Sequence, residues 1–215
     1  DLDGASDCIV DCDTSTPLIR PYAVELLQDD IDQDCDGADT ELMIAAGVEH
    51  NCAITVSGSI NCWGDTQWDK TLPPQGSYMY VDLGEHNGCA INTDNNIDCW
   101  GRNDEAQSTP PAGRFIEVSL SQGGDINSGG CALTETGTIE CWGNHFSAKT
   151  PPEGTFLQMD VGENHGCAID NTEAVQCWGA NNNNKATPPE GRYVLVRVGN
   201  LHSCALDKYG AVECW

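Results

Sequence analysis

The chain has 215 residues, with 34 acidic against 9 basic side chains for a net charge of -25, and 13 cysteines. That charge excludes nucleic acid as a partner, because binding it needs a Lys/Arg footprint that releases counterions. No apolar run reaches the roughly 18 to 20 residues that would carry a helix across a bilayer, which excludes membrane insertion of that kind. Regularly paired cysteines without a Cys-x-x-Cys zinc pattern predict disulfides made in an oxidising compartment, so the protein is expected to be extracellular or on the cell surface. The start carries neither an initiator Met nor a signal-peptide pattern and reads as a mature product or a fragment.

The first element is an acidic, Asp/Cys-rich segment over 1–42. Residues 1–41 hold eleven Asp and two Glu against Arg20 alone, a net of -12. So many carboxylates either stay apart in solution or fold around cations. In "DDIDQDCDGADTE", Asp32, Asp34, Asp36 and Gly37 fit the Asp-x-Asp-x-Asp-Gly opening of a calcium loop, where alternate carboxylates converge and Gly permits the sharp turn. Asp39 and Glu41 are placed to complete the shell, although Met43 stands where the bidentate Glu of such a loop would be. "DLDGASD" reads as the remaining half of a second loop, and Asp1, Asp3, Asp7, Asp11 and Asp13 are further candidate ligands. The leader resembles a metal-binding motif of bacterial surface proteins over residues 7–37. Its hard carboxylate oxygens, with no His or Met in residues 1–41, point to calcium as the cofactor. Cys35 has either Cys8 or Cys12 as its disulfide partner, and the sequence leaves both open.

A repeat occupies 43–215. "CAITVSGSINCWG" recurs as "CAINTDNNIDCWG", "CALTETGTIECWG", "CAIDNTEAVQCWG" and "CALDKYGAVECW", with first cysteines 37, 42, 36 and 37 residues apart. The units run about 43–80, 81–117, 118–158, 159–195 and 196–215, the last incomplete. Each reads as a Val/Ile-rich strand ending near Gly, a Cys hairpin, Trp-Gly, a polar loop, then Pro-Pro-x-Gly and an aromatic-bearing strand. This predicts an all-β chain with roughly four short strands per unit.

Spacing solves the hairpin. If Cys52 faces Cys62, Ala53 faces Asn61 and Ile54 faces Ile60, leaving the three-residue loop Val56, Ser57, Gly58. The last loop position wants a residue tolerant of positive φ. It holds Gly58, Asn95, Gly137, Glu173 and Gly210, so the fourth hairpin is expected to be strained or differently turned. The same register predicts Cys52–Cys62, Cys89–Cys99, Cys131–Cys141, Cys167–Cys177 and Cys204–Cys214 as cross-strand disulfides, with buried free thiols as the competing reading.

The pattern Gly-x-x-His-x-Cys-Ala-Leu/Ile, Cys-Trp-Gly, Pro-Pro-x-Gly resembles the regulator-of-chromosome-condensation repeat, in the cysteine-rich form of bacterial secreted proteins, and is similar to the repeat of β-lactamase inhibitor protein II. The resemblance implies a β-propeller with one four-stranded blade per repeat. The third repeat departs with "SLSQGGDINSGGC", about five residues longer and lacking His, which predicts a flexible bulging loop. His50, His165 and His202 fall at equivalent places, with Asn87 in the second repeat. Residues spread around a ring do not converge on one ion, so these side chains are expected to make strand-end hydrogen bonds. Trp63, Trp100, Trp142, Trp178 and Trp215 are expected to pack blades together rather than stack a ligand.

No Ser/His/Asp constellation, distinctive carboxylate pair or phosphate-cradling Gly loop occurs, so an enzyme is not expected. The composite expectation is a non-catalytic extracellular propeller module, calcium-stabilised at its leader. Its partners would be other protein chains, including copies of itself in a larger surface protein or fibre. The inhibitor resemblance supplies the alternative, a soluble binding partner of another secreted protein.

Overall fold

The computed structural model describes residues 43–123, 128–144 and 146–215. The expected calcium ligands and Cys8, Cys12 and Cys35 lie outside the described residues.

Among the described residues fifteen strands form five antiparallel sheets, each ordered first-second-third. The first blade comprises β1 (Ile44–Ala46), β2 (His50–Ile54) and β3 (Ile60–Gly64), and the second β4 (Tyr78–Leu83), β5 (Asn87–Asn92) and β6 (Ile97–Gly101). The third comprises β7 (Phe115–Leu120), β8 (Gly130–Thr134) and β9 (Ile139–Trp142), and the fourth β10 (Phe156–Val161), β11 (His165–Asp170) and β12 (Val175–Gly179). The fifth comprises β13 (Leu195–Val198), β14 (Ser203–Leu206) and β15 (Val212–Cys214).

Among the described residues each blade has three strands instead of the expected four. The aromatic-bearing stretch after Pro-Pro-x-Gly and the Val/Ile-rich stretch before Gly are one continuous strand, such as Tyr78–Leu83. Its register shifts between Tyr78 and Tyr80, and likewise between Phe115 and Glu117 and between Phe156 and Gln158. A bulge breaks the apolar alternation there and mimics a boundary between two strands. The expected divisions at 80/81, 117/118 and 158/159 therefore cut through β4, β7 and β10.

The hairpins have the register derived from spacing. Cys52 faces Cys62, Ala53 faces Asn61 and Ile54 faces Ile60, and the cysteines of all five hairpins are bonded. Gly58, Asn95, Gly137, Glu173 and Gly210 have φ of 77°, 63°, 84°, 68° and 85°. The fourth hairpin is thus the same turn carried by an unsuited residue, not a different turn.

No blade has a core of its own. Each apolar cluster straddles a junction. The trailing face of the first blade supplies Cys52, Ile54 and Ile60, and the leading face of the second supplies Tyr78, Val81 and Trp100. The next three junctions repeat this with Cys89, Ile91 and Ile97 against Phe115 and Val118, then Cys131, Leu133 and Ile139 against Phe156 and Met159, then Cys167, Ile169 and Val175 against Tyr193 and Val196. Strand alternation puts each disulfide on the trailing face.

Replacing Glu173 with Asn should relieve the left-handed strain, worth about 1 kcal/mol. The exposed ion pair it gives up, Arg192 Nη1 to Glu173 Oε2 at 3.5 Å, contributes little. A raised urea midpoint for Glu173→Asn is the expected result.

Candidate functional site

The first strand of every blade is the inner edge of its sheet, and its outward N–H groups would lack partners. Side chains of the preceding blade take them. Asp82 Oδ2 accepts from Leu120 N (2.7 Å), Ser119 Oγ from Val161 N (3.1 Å) and Asp160 Oδ2 from Val198 N (2.6 Å). Two residues earlier on each strand, Met43 Sδ accepts from Val81 N (3.4 Å), Glu117 Oε2 from Met159 N (3.0 Å) and Gln158 Oε1 from Val196 N (2.9 Å). All six bonds run in one sense, from acceptor on one blade to donor on the next.

These strands surround a channel whose mouth encloses about 370 Å³, with all five blades contributing to its lining. The flanks of the third-repeat insertion reach over that mouth. Ser121 Oγ donates to Glu163 O (3.0 Å) on one side, and Gln122 Nε2 donates to Ala46 O (3.3 Å) on the other. The tip of the insertion, 124–127, lies outside the described residues.

Asp82, Ser119 and Asp160 each face the first Cys of their hairpin, and Arg197 holds that position in the fifth blade and Ala45 in the first. Arg197 cannot accept a hydrogen bond; its Nη1 donates to Val196 O (3.0 Å). Burial pushes the carboxyls of Asp82 and Glu117 up to about 7, and the Arg197 charge only partly opposes this. Burial likewise raises Asp160. The nearby carboxylates hold Arg197 above its ordinary value despite desolvation.

Two further latches repeat outside the channel. The carbonyls of Gly58, Asn95, Gly137 and Glu173 accept from the N–H of Tyr78, Phe115, Phe156 and Tyr193 at 2.7 to 2.8 Å. Trp100, Trp142 and Trp178 donate from Nε1 to Lys70 O (2.8 Å), Gln107 O (2.9 Å) and Ala148 O (2.6 Å) of the preceding blade. Each of these rings lies so close over a glycine that a Cβ at Gly88, Gly130 or Gly166 would come within 2.4, 2.8 or 2.5 Å of it. The fifth blade has Ser203 there, and Ser203 Oγ donates to Lys185 O (3.1 Å) in place of the indole.

Trp100, Trp142 and Trp178 therefore pack blades, as their sequence position suggests, whereas Trp63 is half-exposed. The histidines divide. His165 Nε2 shares a hydrogen bond with Ser203 Oγ (2.9 Å), whereas neither ring nitrogen of buried His50 has a partner among the described residues. The expected strand-end bond is absent at His50 because the residue matching Ser203 in the second blade is Gly88, which has no side chain to offer. His202 is exposed. Among the described residues no group of three or more His, Cys, Asp or Glu is arranged to hold a metal.

At two faces the junction residues lie open. Ile44, equivalent to buried Val81, Val118, Met159 and Val196, is 67% exposed on the leading face of the first blade. Trp63 is 48% exposed, against 7 to 8% for Trp100, Trp142 and Trp178. On the trailing face of the fifth blade Val212 is 65% exposed, where Ile60, Ile97, Ile139 and Val175 are buried. The channel acceptors and these faces went unrecognised in the sequence. Their signal is the polar residue at alternate positions of otherwise apolar strands, as in "YVDL", "EVSL" and "QMDV".

The profile of the regulator of chromosome condensation (RCC1) repeat matches residues 44–67 and 156–185. The chain carries RCC1-like repeats. Its fold is similar to the entire ectodomain of the receptor kinase CR4 from Physcomitrella patens, with a TM-score of 0.68 and 19% identity over 80% of this chain and 52% of that one. It is similar to human WBSCR16 (0.64, 14% identity, 80% and 60%) and to yeast RCC1 (Prp20) in its structure with Kap60 (0.62, 14%, 75% and 52%). The chain thus spans half to three fifths of the length of these structures, and identities this low establish a shared fold. No curated protein matches the sequence.

Asp160→Ala strands the Val198 N–H and should cost about 1–3 kcal/mol in chemical denaturation. Asp160→Asn, with its oxygen on Val198 N and its amide on Ser119 Oγ, should retain most of that stability.

Burial holds His50 and His165 down to about 4 from 6.5. A folded pKa below the unfolded one means that both contribute stability at neutral pH and lose it as pH falls from 6.5 towards 4. The His50→Asn variant should show a smaller drop in unfolding midpoint over that interval than the unmodified chain.

Proposed function

We propose that this chain is a non-catalytic extracellular protein-binding propeller module, ribbed by disulfides, calcium-stabilised at its leader, and built into a larger surface protein or a self-assembling fibre. The observation that carries this reading is the pair of open faces. Four junctions within the chain join a trailing face of Cys and aliphatic side chains to a leading face of aromatic and aliphatic ones. The open faces bear the two halves of that same junction, so they suit blades of this type, whether in a copy of the chain or elsewhere in a larger protein.

Several features support the rest. Five disulfides among the described residues favour an oxidising location. One structure with this fold is a receptor-kinase ectodomain and another was solved with a protein partner, Kap60. The leader's Asp32, Asp34 and Asp36 supply oxygen ligands of the kind calcium takes. Bound calcium would also offset repulsion between chains of net charge -25.

Light scattering on the chain in calcium tests the proposal. The expected result is a mass above that of one chain, reduced to one chain by Ile44→Asp or Val212→Asp and lowered by chelation. A monodisperse single chain at all concentrations in calcium would overturn association through these faces.

A further inference from the structure

Three carboxylates on the first strands of three successive blades bridge to the blade that follows. Asp82 on β4, Glu117 on β7 and Asp160 on β10 each accept a backbone N–H from the following blade. Arg197 on β13, an exposed side chain, is the cation whose charge favours the ionised form of all three. The other groups facing the cluster are Tyr80 on β4, Ser119 on β7 and Gln158 on β10, while the first blade presents Met43 and Ala45, which do not titrate. Glu163 adds a further carboxylate at the mouth. Fully ionised, the three carboxylates exceed Arg197 by two charges, and the Asp160 charge opposes ionisation of both Asp82 and Glu117.

From this geometry we infer that the channel is a proton-linked clasp: gain or loss of protons by Asp82, Glu117 and Asp160 changes how firmly the second to fifth blades are held to one another. A protonated carboxyl still accepts the N–H through its carbonyl oxygen. Ionising the cluster sets two unbalanced negative charges against each other across the junctions.

The sign follows from linkage. Burial raises Asp82 and Glu117 to about 7 from 3.8 and 4.5, so the folded chain binds protons that the unfolded chain releases. Their favourable contribution is complete below the unfolded values and is lost as pH rises through about 7. This opposes the two buried histidines, whose contribution grows with pH over the acid part of the same range.

Carbon-13 titration of the side-chain carboxyls in the full chain reads the clasp directly. The expected result is a midpoint near 7 for Asp82 and Glu117, with the amide resonances of Leu120 and Met159 moving at the same midpoints. Arg197→Gln should move those midpoints upward. In the double variant Asp82→Asn/Glu117→Gln the fall in unfolding midpoint as pH rises through neutrality should vanish. Carboxyls that titrate wholly below about pH 5 would overturn the inference. So would carboxyls that titrate near neutrality while the Leu120 and Met159 amides stay still, since proton occupancy would then leave the junctions untouched.

Discussion

Everything in this protein depends on apolar contact between successive sheets, because no sheet buries enough by itself. A three-stranded hairpin sheet has two faces, and both must be covered. Here each blade offers Cys and aliphatic side chains behind and aromatic and aliphatic ones in front, and every described cluster combines the two. Burying a side chain such as Phe115 or Phe156 contributes about 1.5–3 kcal/mol, but only once the neighbouring blade is in place. Stability is therefore a property of junctions, as expected for a quasi-one-dimensional repeat. An unmatched face is the natural place for a partner to add.

Directional hydrogen bonds turn that contact into a defined ring segment. Apolar faces alone would tolerate sliding. The hairpin-tip carbonyls, the indole donors and the inner side-chain acceptors each fix one blade at a separate point along the next. They also explain local sequence. Gly88, Gly130 and Gly166 are small because an indole occupies the space of their side chains, and Ser203 differs because its hydroxyl has taken over the indole's hydrogen bond.

Satisfying the inner edge with carboxylates has an electrostatic consequence. An acceptor suited to a backbone N–H is most effective when charged, yet three such groups around one channel repel. The fifth blade answers with Arg197 at the place where the second and fourth carry Asp82 and Asp160. The residue that partly offsets the charge also ends the series of acceptors. Buried neutral histidines and proton-holding carboxyls thus coexist in one fold, with opposite dependence on pH.

Much of the architecture was legible along the chain because its determinants are local. Turn geometry and a spacing of ten residues set the hairpin register, so the pairing of Cys52 with Cys62 and the positive φ at Glu173 follow from short-range sterics. The repeat period marked one sheet per unit. Strand count was misread because the bulge after Tyr78 interrupts alternation without interrupting the strand. What lay beyond the sequence was contact between residues some forty positions apart. Nothing local says that Asp82 will accept the N–H of Leu120, that His50 will face a glycine while His165 faces Ser203, or that Ile44 will be open while Val81 is buried. Those facts belong to the junctions, and a junction exists only when two blades have packed.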